Sequence, residues 1–113
     1  MDVLNLIIKK VYFDQIIAGT KKAEYREIKP STVKKYIYID ENNDYKAVKY
    51  DAVRLFVGYN KDRDSALVEV TGTELTAWCD DKQNPMFFEK DGETYFRGVI
   101  AYKLGKVLEK NIK

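Results

Sequence analysis

The side chains best suited to chemistry lie in one short stretch of the chain, residues 19–26. Lys21 and Arg26 are cationic hydrogen-bond donors, and Glu24 is a carboxylate. An arginine fork and a lysine suit a phosphate or a base edge, and a carboxylate can orient the arginine, accept from an exocyclic amine or act as a general base. The candidate ligand-binding residues of this stretch are Lys21, Lys22, Glu24 and Arg26. If the protein is an enzyme, Lys21 and Glu24 are its catalytic candidates.

The spacing of these residues predicts that they line one cleft. Glu24 and Arg26 are two positions apart in an alternating segment, residues 22–28, which is typical of a strand with one polar face. Gly19 permits a tight structural turn before that strand, because glycine tolerates positive φ. A plainer alternative is a solvated strand face on which Glu24 and Arg26 pair only with each other. The spacing alone leaves both interpretations open.

Hydrophobic periodicity predicts the elements that come before this stretch. Residues 3–8 form a short apolar run that is typical of a buried strand. Residues 10–18 are predicted to form a helix, because apolar side chains recur four residues apart, as in Tyr12 and Ile16. Gly19 then occupies the position of a C-cap glycine.

The remaining pattern predicts an α+β fold that is rich in strands. Further strands are predicted at residues 22–28, 52–59, 66–71 and 95–108. Loops are predicted at residues 40–47, 60–64 and 72–94. A second short helix is predicted after Pro30, and Gly98 and Gly105 are predicted to break the last strand. Five to six strands joined mostly by hairpins favour a small β-barrel with one or two flanking helices, since closure removes exposed sheet edges.

The composition excludes several classes of mechanism. The chain has 113 residues, a length typical of one domain, and no histidine, so a Ser-His-Asp triad and a His-ligated metal site are excluded. Cys79 is the only cysteine, so no internal disulfide forms and a zinc cluster is not expected. We expect no cofactor and no metal.

Other features bear on where the protein works. No segment approaches the roughly 18 apolar residues of a membrane span. Met1-Asp2 is followed by an apolar run interrupted by Asn5, which does not resemble a signal peptide. We therefore expect a cytoplasmic protein without a membrane partner, and a monomer by default.

Charge is distributed unevenly along the chain, although the formal net charge is only +2. Residues 1–35 contain eight basic and four acidic residues, whereas residues 74–93 contain six acidic and two basic residues. A basic first third suits a phosphate-bearing partner, and an acidic segment avoids one. A soluble surface with uneven loops explains the same distribution without any ligand.

The pattern Gly-x-Lys-x-x-Glu-x-Arg, here Gly19, Lys21, Glu24 and Arg26, follows a strand and an apolar helix. In this respect the chain resembles the ASCH domain family of the PUA-like superfamily, in its small bacterial or phage type. The stretches 25–30 and 102–108 are also similar to that type. The resemblance implies a single PUA-like β-barrel over residues 1–113. It also implies a charged cleft beside the first helix that binds RNA or a nucleotide-like small molecule.

One branch of that family implies an alternative function, hydrolysis of N4-acetylcytidine. The branch looks to use the motif lysine, a threonine three residues later and a distant glutamate. Lys21 matches the lysine, but Glu24 stands at the threonine position and Thr20 precedes the lysine. Glu74 is a candidate for the distant carboxylate. Binding without catalysis is therefore the first expectation, and an amidohydrolase of N4-acylated cytidines is the alternative.

Three further residues are candidates for ligand contact. Tyr59 and Lys61 lie at the tip of a predicted hairpin, where an aromatic ring beside a cation suits nucleic acid. Trp78 can stack on a base if it is exposed. The alternatives are an ordinary polar hairpin for Tyr59 and Lys61, and a core side chain for Trp78.

The acidic segment supports a third function, that of a phage or mobile-element protein-interaction domain. Asp80 and Asp81 lie near its centre, so it could contact a basic partner. Only composition supports this hypothesis.

Overall fold

A computed structural model describes all residues, 1–113. Just over half of them lie in β-strands, and two short helices accompany the strands, which confirms the predicted α+β class. In chain order the elements are β1 (Val3–Ile8), α1 (Lys10–Ala18), β2 (Ala23–Ile28), α2 (Val33–Tyr36), β3 (Ile37–Ile39), β4 (Tyr45–Ala47), β5 (Ala52–Val57), β6 (Ser65–Ala77), β7 (Phe87–Lys90), β8 (Glu93–Phe96) and β9 (Gly98–Asn111). Neither helix has the length and apolar character needed to cross a membrane.

Five strands form the main sheet, in the order β1-β5-β6-β9-β2. β1 runs parallel to β5, with Val3 opposite Ala52 and Ile8 opposite Val57, whereas β5 and β6 are antiparallel. Two small antiparallel sheets are made by β3 with β4 and by β7 with β8. The parallel pair departs from the hairpin connections expected from the sequence, because parallel strands require a crossover.

The chain forms two compact units. The first comprises Met1–Glu24, Lys49–Gly72 and Tyr102–Lys113. The second comprises Tyr25–Val48 and Thr73–Ala101. Each unit is therefore assembled from segments that are distant in the sequence.

The core of the first unit follows the predicted periodicities. Leu4 and Leu6 are buried on β1, and α1 contacts β5 and buries Phe13 and Ile16. Tyr12, which the sequence predicted for the apolar face of this helix, is exposed instead. The buried stripe of the helix is centred on Phe13 and Ile16, and Tyr12 is turned about 100° away from Phe13, toward solvent.

The second unit contains strands where loops were predicted. β4 occupies part of residues 40–47, and the end of β6 together with β7 occupies part of residues 72–94. These predictions were wrong because the strands β4 and β7 are short and mixed in polarity, and each is stabilised by antiparallel pairing, β4 with β3 and β7 with β8. Phe88 of β7, for example, stacks on Tyr95 of β8 with ring centroids 5.8 Å apart.

Two loops of the same design connect strands in the second unit. In each loop the side chain of a leading aspartate, Asp40 or Asp80, accepts hydrogen bonds from the backbone N–H groups two and four residues later, at 2.8–2.9 Å. The fourth residue of each loop, Asn43 or Gln83, has a positive φ. Such aspartate turns stabilise a tight loop by replacing backbone hydrogen bonds with side-chain ones.

The last segment of the chain contains one break rather than two. β8 ends at Phe96 and β9 begins at Gly98, so the predicted break at Gly98 is confirmed. The predicted break at Gly105 is wrong, because β9 continues through it to Asn111. Without a side chain, Gly105 leaves room for Thr71 of the neighbouring strand β6.

The Asp80 turn yields a pH-dependent prediction. The backbone N–H groups of Asn84 and Lys82 lower the pKa of the Asp80 carboxyl below its ordinary value of 3.8. A lowered folded-state pKa means that this stabilisation is present above pH 3.8 and is lost as the pH falls through the folded value. We expect the amide protons of Lys82 and Asn84 to titrate together, with a midpoint below pH 3.8, when NMR spectra are followed on acidification.

The matched control is the neighbouring carboxylate. Asp81→Asn should leave the titration of the two amide protons unchanged, whereas Asp80→Asn should abolish it. A midpoint at or above pH 3.8, or a titration that survives Asp80→Asn, would contradict this account of the turn.

Candidate functional site

The charged residues of β2 do not all face solvent. Glu24 is 6% exposed and is the only charged residue in the buried set of the whole chain. Ile28 is buried as well, whereas Tyr25 between them is exposed. The alternative of a solvated strand face therefore does not hold for Glu24. Removing a carboxylate from water in this way is costly, so a nearby cation or hydrogen-bond donor must compensate for the lost hydration.

Lys21 supplies a cation beside the buried carboxylate. Its Nζ lies 3.7 Å from Oε1 of Glu24, which is an ion pair longer than a hydrogen bond. The Lys21 side chain is itself only 20% exposed. Both predicted catalytic candidates are thus brought together within the first unit.

An aromatic ring completes the site. Nζ of Lys21 lies 5.3 Å from the ring centroid of Tyr12, within the range of a cation–π contact. Tyr12 is 44% exposed, so the ring presents surface to solvent next to the ion pair. Sequence reasoning assigned Tyr12 to the core of the helix. The exposure of Tyr12 could have been predicted from its position immediately before Phe13, because adjacent residues of a helix face different sides.

The turn after α1 positions Lys21. Gly19 has a φ of 81°, and its N–H donates to the carbonyl of Ile16 at 3.0 Å. The N–H groups of Thr20 and Lys21 both donate to the carbonyl of Gln15, at 3.0 and 3.1 Å. The predicted structural role of Gly19 is therefore confirmed. Because this turn closes the helix, it returns the chain toward the first turn of α1, where Tyr12 lies.

The strand side of the site is tied to the main sheet. The carbonyl of Lys22 accepts a hydrogen bond from the N–H of Leu104 on β9, at 2.9 Å. Lys21 and Glu24 therefore leave a backbone that is held at both ends, by the helix cap and by the sheet. The side chain of Lys22 is exposed.

The other predicted residues are distributed over the two units. Arg26 is half-buried on β2 and belongs to the second unit, as does the exposed Trp78. The backbone of Trp78 is paired with Arg97 and Met86, so the predicted irregular region is ordered around it. Glu74, the candidate for a distant catalytic carboxylate, lies exposed on β6 in the second unit.

Tyr59 and Lys61 are placed together by the turn between β5 and β6 in the first unit. Both line a cavity of about 340 Å³. The loop predicted at residues 60–64 is confirmed as part of the β5–β6 hairpin. No group of three or more acidic or cysteine side chains is arranged to hold a metal ion.

Comparison of the chain with protein-family models, with curated proteins and with solved structures finds no significant match. The geometry of the site combines a buried acceptor, a half-buried cationic donor and an exposed ring within one unit.

Proposed function

We propose that this protein binds RNA or a nucleotide-like ligand through a nucleobase that contacts Tyr12, Lys21 and Glu24. The observation that carries the proposal is the burial of Glu24, the one charged residue removed from solvent, beside a half-buried lysine. An ionisable group held in such an environment is a functional-site candidate, because solvation alone would place it at the surface.

The three side chains match the chemistry of a nucleobase. A base carries N–H donors, which suit the Glu24 carboxylate, and carbonyl acceptors, which suit the Lys21 ammonium. It also carries a flat aromatic face, for which the exposed ring of Tyr12 is a stacking platform. Each contact alone is common, but their combination within one short helix–turn–strand segment favours a planar heterocycle.

Stability alone does not explain the ion pair between Lys21 and Glu24. Replacing a buried ion pair by apolar side chains of similar volume is often neutral or stabilising. Retaining Glu24 and Lys21 at a site beside an exposed ring is therefore better explained by recognition. The basic first third of the chain adds a field that attracts a phosphate-bearing ligand.

We extend the proposal to the fold and family. We propose that the chain is a PUA-like barrel of the ASCH type. Such a domain begins with a strand, a helix and a second strand, as this chain does, and it has a glycine after the helix followed by the lysine and the glutamate of the motif. The five-stranded main sheet and the placement of Lys21 and Glu24 beside α1 support that assignment.

The proposal is tested by a ligand-detected NMR screen of the free nucleosides, N4-acetylcytidine and a short single-stranded RNA. We expect reversible binding, weakened by about tenfold or more in Lys21→Gln, since a hydrogen bond to a charged group contributes roughly 1.5–3 kcal/mol. The matched control is Lys49→Gln, which changes an exposed lysine of the same unit. Equal affinity of the Lys21→Gln and unmodified proteins would overturn the proposal.

The same samples distinguish binding from catalysis. If the acetyl signal of N4-acetylcytidine decreased while acetate appeared, the pair would act as an amidohydrolase, with Lys21 holding the developing oxyanion and Glu24 moving the proton. We expect no acetate, because Glu24 stands where the enzymatic branch has threonine.

A further inference from the structure

A polar cavity lies beside the turn between β5 and β6, in the first unit, apart from the Lys21–Glu24 pair. Its volume of about 340 Å³ lies within the range of small-ligand sites, roughly 300–1,000 Å³. Three of its lining residues carry cationic side chains, namely Lys61, Arg63 and Lys113, and none of the lining residues is an aspartate or a glutamate. The lining is thus more positive than the whole chain, in which 20 basic residues are nearly balanced by 18 acidic ones. The cavity therefore favours an anion.

Asp64, next to Arg63 in the chain, partly offsets the charge of Lys113 but forms no ion pair with Lys61 or Arg63. Asp64 directs one carboxylate oxygen to Nζ of Lys10, at 2.8 Å, and the other to the backbone N–H of Lys113, at 2.7 Å. The ammonium of Lys10 and the N–H of Lys113 lower the pKa of this carboxyl, so it is ionised and committed to these two donors. Its effect on the cavity is to hold Lys113 in place.

The guanidinium of Arg63 is oriented by contacts within the turn. It lies 4.1 Å from the ring centroid of Phe56, and its Nη1 donates to the carbonyl of Gly58 at 2.9 Å. The bond to Gly58 uses one of the five N–H donors that a guanidinium carries. Because the plane of Arg63 is already held, less conformational entropy is lost when an anion binds it.

The cavity also has an aromatic surface and neutral polar groups. Tyr59 is 86% exposed, the most exposed aromatic side chain of the protein, and it lines the cavity beside Lys61. Two asparagines, Asn60 and Asn111, line it as well. A carboxamide carries both donors and an acceptor, as the polar edge of a base does.

Another cavity of the same unit, about 490 Å³, carries less net positive charge. It is lined by two cationic residues, Arg54 and Lys110, and Arg54 is paired with Glu109 at 3.3 Å, so one of the two positive charges is balanced. The smaller cavity is therefore the better anion site, in spite of its size.

We propose that the cavity at the β5–β6 turn is a second ligand site, which binds one nucleotide unit. Its phosphate contacts Arg63 and Lys61, its base stacks on Tyr59, and the two carboxamides contact the polar groups of the base or sugar. The site stands on its own geometry and does not depend on the Lys21–Glu24 pair. The ligand is either a free nucleotide or one nucleotide of a single strand.

The test uses the side-chain amide signals of Asn60 and Asn111 in ¹H–¹⁵N NMR spectra of the whole protein. The probes are adenosine 5′-monophosphate, adenosine, inorganic phosphate and a short oligoadenylate. We expect the monophosphate to shift both amide pairs at concentrations at which adenosine and phosphate shift them less. A tighter complex with the oligoadenylate would identify a single strand as the source, and equal affinity would identify the free nucleotide.

Lys61→Gln should weaken the monophosphate complex roughly fivefold or more, and it should fold normally because Lys61 is exposed. Lys49→Gln is the matched control and should change nothing. Lys21→Gln should leave the Asn60 and Asn111 shifts intact, which separates this site from the one proposed above. The second site is overturned if the monophosphate leaves both amide pairs unmoved, if phosphate alone shifts them equally, or if Lys61→Gln binds as tightly as the unmodified protein.

Discussion

Replacing Lys21 alone with methionine should destabilise the protein more than replacing Lys21 and Glu24 together. The single change leaves the buried Glu24 carboxylate without the ammonium 3.7 Å away. Breaking a fully buried pair costs about 3–5 kcal/mol, and the partial exposure of Lys21 lowers our expectation to about 2 kcal/mol. The double change, Lys21→Met with Glu24→Leu, removes both charges and should bring the free energy of unfolding back to within about 1 kcal/mol of the original.

Urea denaturation of the variants measures this difference, with Lys49→Met as the control for losing an exposed lysine. The control should change the free energy of unfolding by about 0.5 kcal/mol or less. A double variant that is less stable than Lys21→Met would show that the pair holds the fold together. In that case the burial of Glu24 would serve the stability of the fold and not ligand recognition.

The same variants connect stability to function. We expect the double variant to be folded and to have lost the nucleoside binding that depends on Lys21, because both polar contacts to the base are gone, while the amide shifts of Asn60 and Asn111 persist. A stable double variant that bound nucleosides as tightly as the unmodified protein would separate the ion pair from recognition.

The substitution Gly98→Ala should lower the free energy of unfolding by about 3 kcal/mol or more, at the upper end of the range for overpacking. Gly98 is buried at the start of β9, where a Cβ atom would collide with the backbone carbonyl of Thr76 and with Cα of Ala77. Both obstacles are main-chain atoms of β6, so they cannot move aside as the end of a flexible side chain can. The clash must therefore displace one strand from the other.

Gly72→Ala is the matched control. A Cβ there meets only Cδ of Lys103, at an ordinary 3.5 Å, so we expect a change of less than about 1 kcal/mol. Thermal unfolding followed by circular dichroism compares the two variants. A melting temperature for Gly98→Ala close to that of Gly72→Ala would show that β6 and β9 do not approach as closely as described.

The sequence by itself determined the local elements that carry the candidate site. The strand at Val3–Ile8, the helix at Lys10–Ala18 and the C-cap at Gly19 were all predicted and are all confirmed. These features depend on interactions between near neighbours in the chain, namely apolar periodicity and the tolerance of glycine for positive φ. For the same reason the alternation of β2 was predictable, and with it the common direction of residues two apart.

Only the tertiary structure decided which side of β2 is buried. A period-two pattern states that two faces differ, but the face that packs inward depends on what lies against it. That choice placed Glu24 inside and Tyr25 outside, against the expectation that charged side chains face water. As a result Glu24 is the one buried charged residue of the protein, and not a member of a solvated Glu24–Arg26 pair.

Pairing between strands decided the remaining differences. β4 and β7 are short strands of mixed polarity, and each becomes a strand through antiparallel pairing with a neighbour in the chain, β3 or β8. The cavity at the β5–β6 turn likewise joins Tyr59 and Lys61 to Lys113, some fifty residues away. Contacts of this kind arise from packing, and no local sequence pattern specifies which distant side chain will arrive.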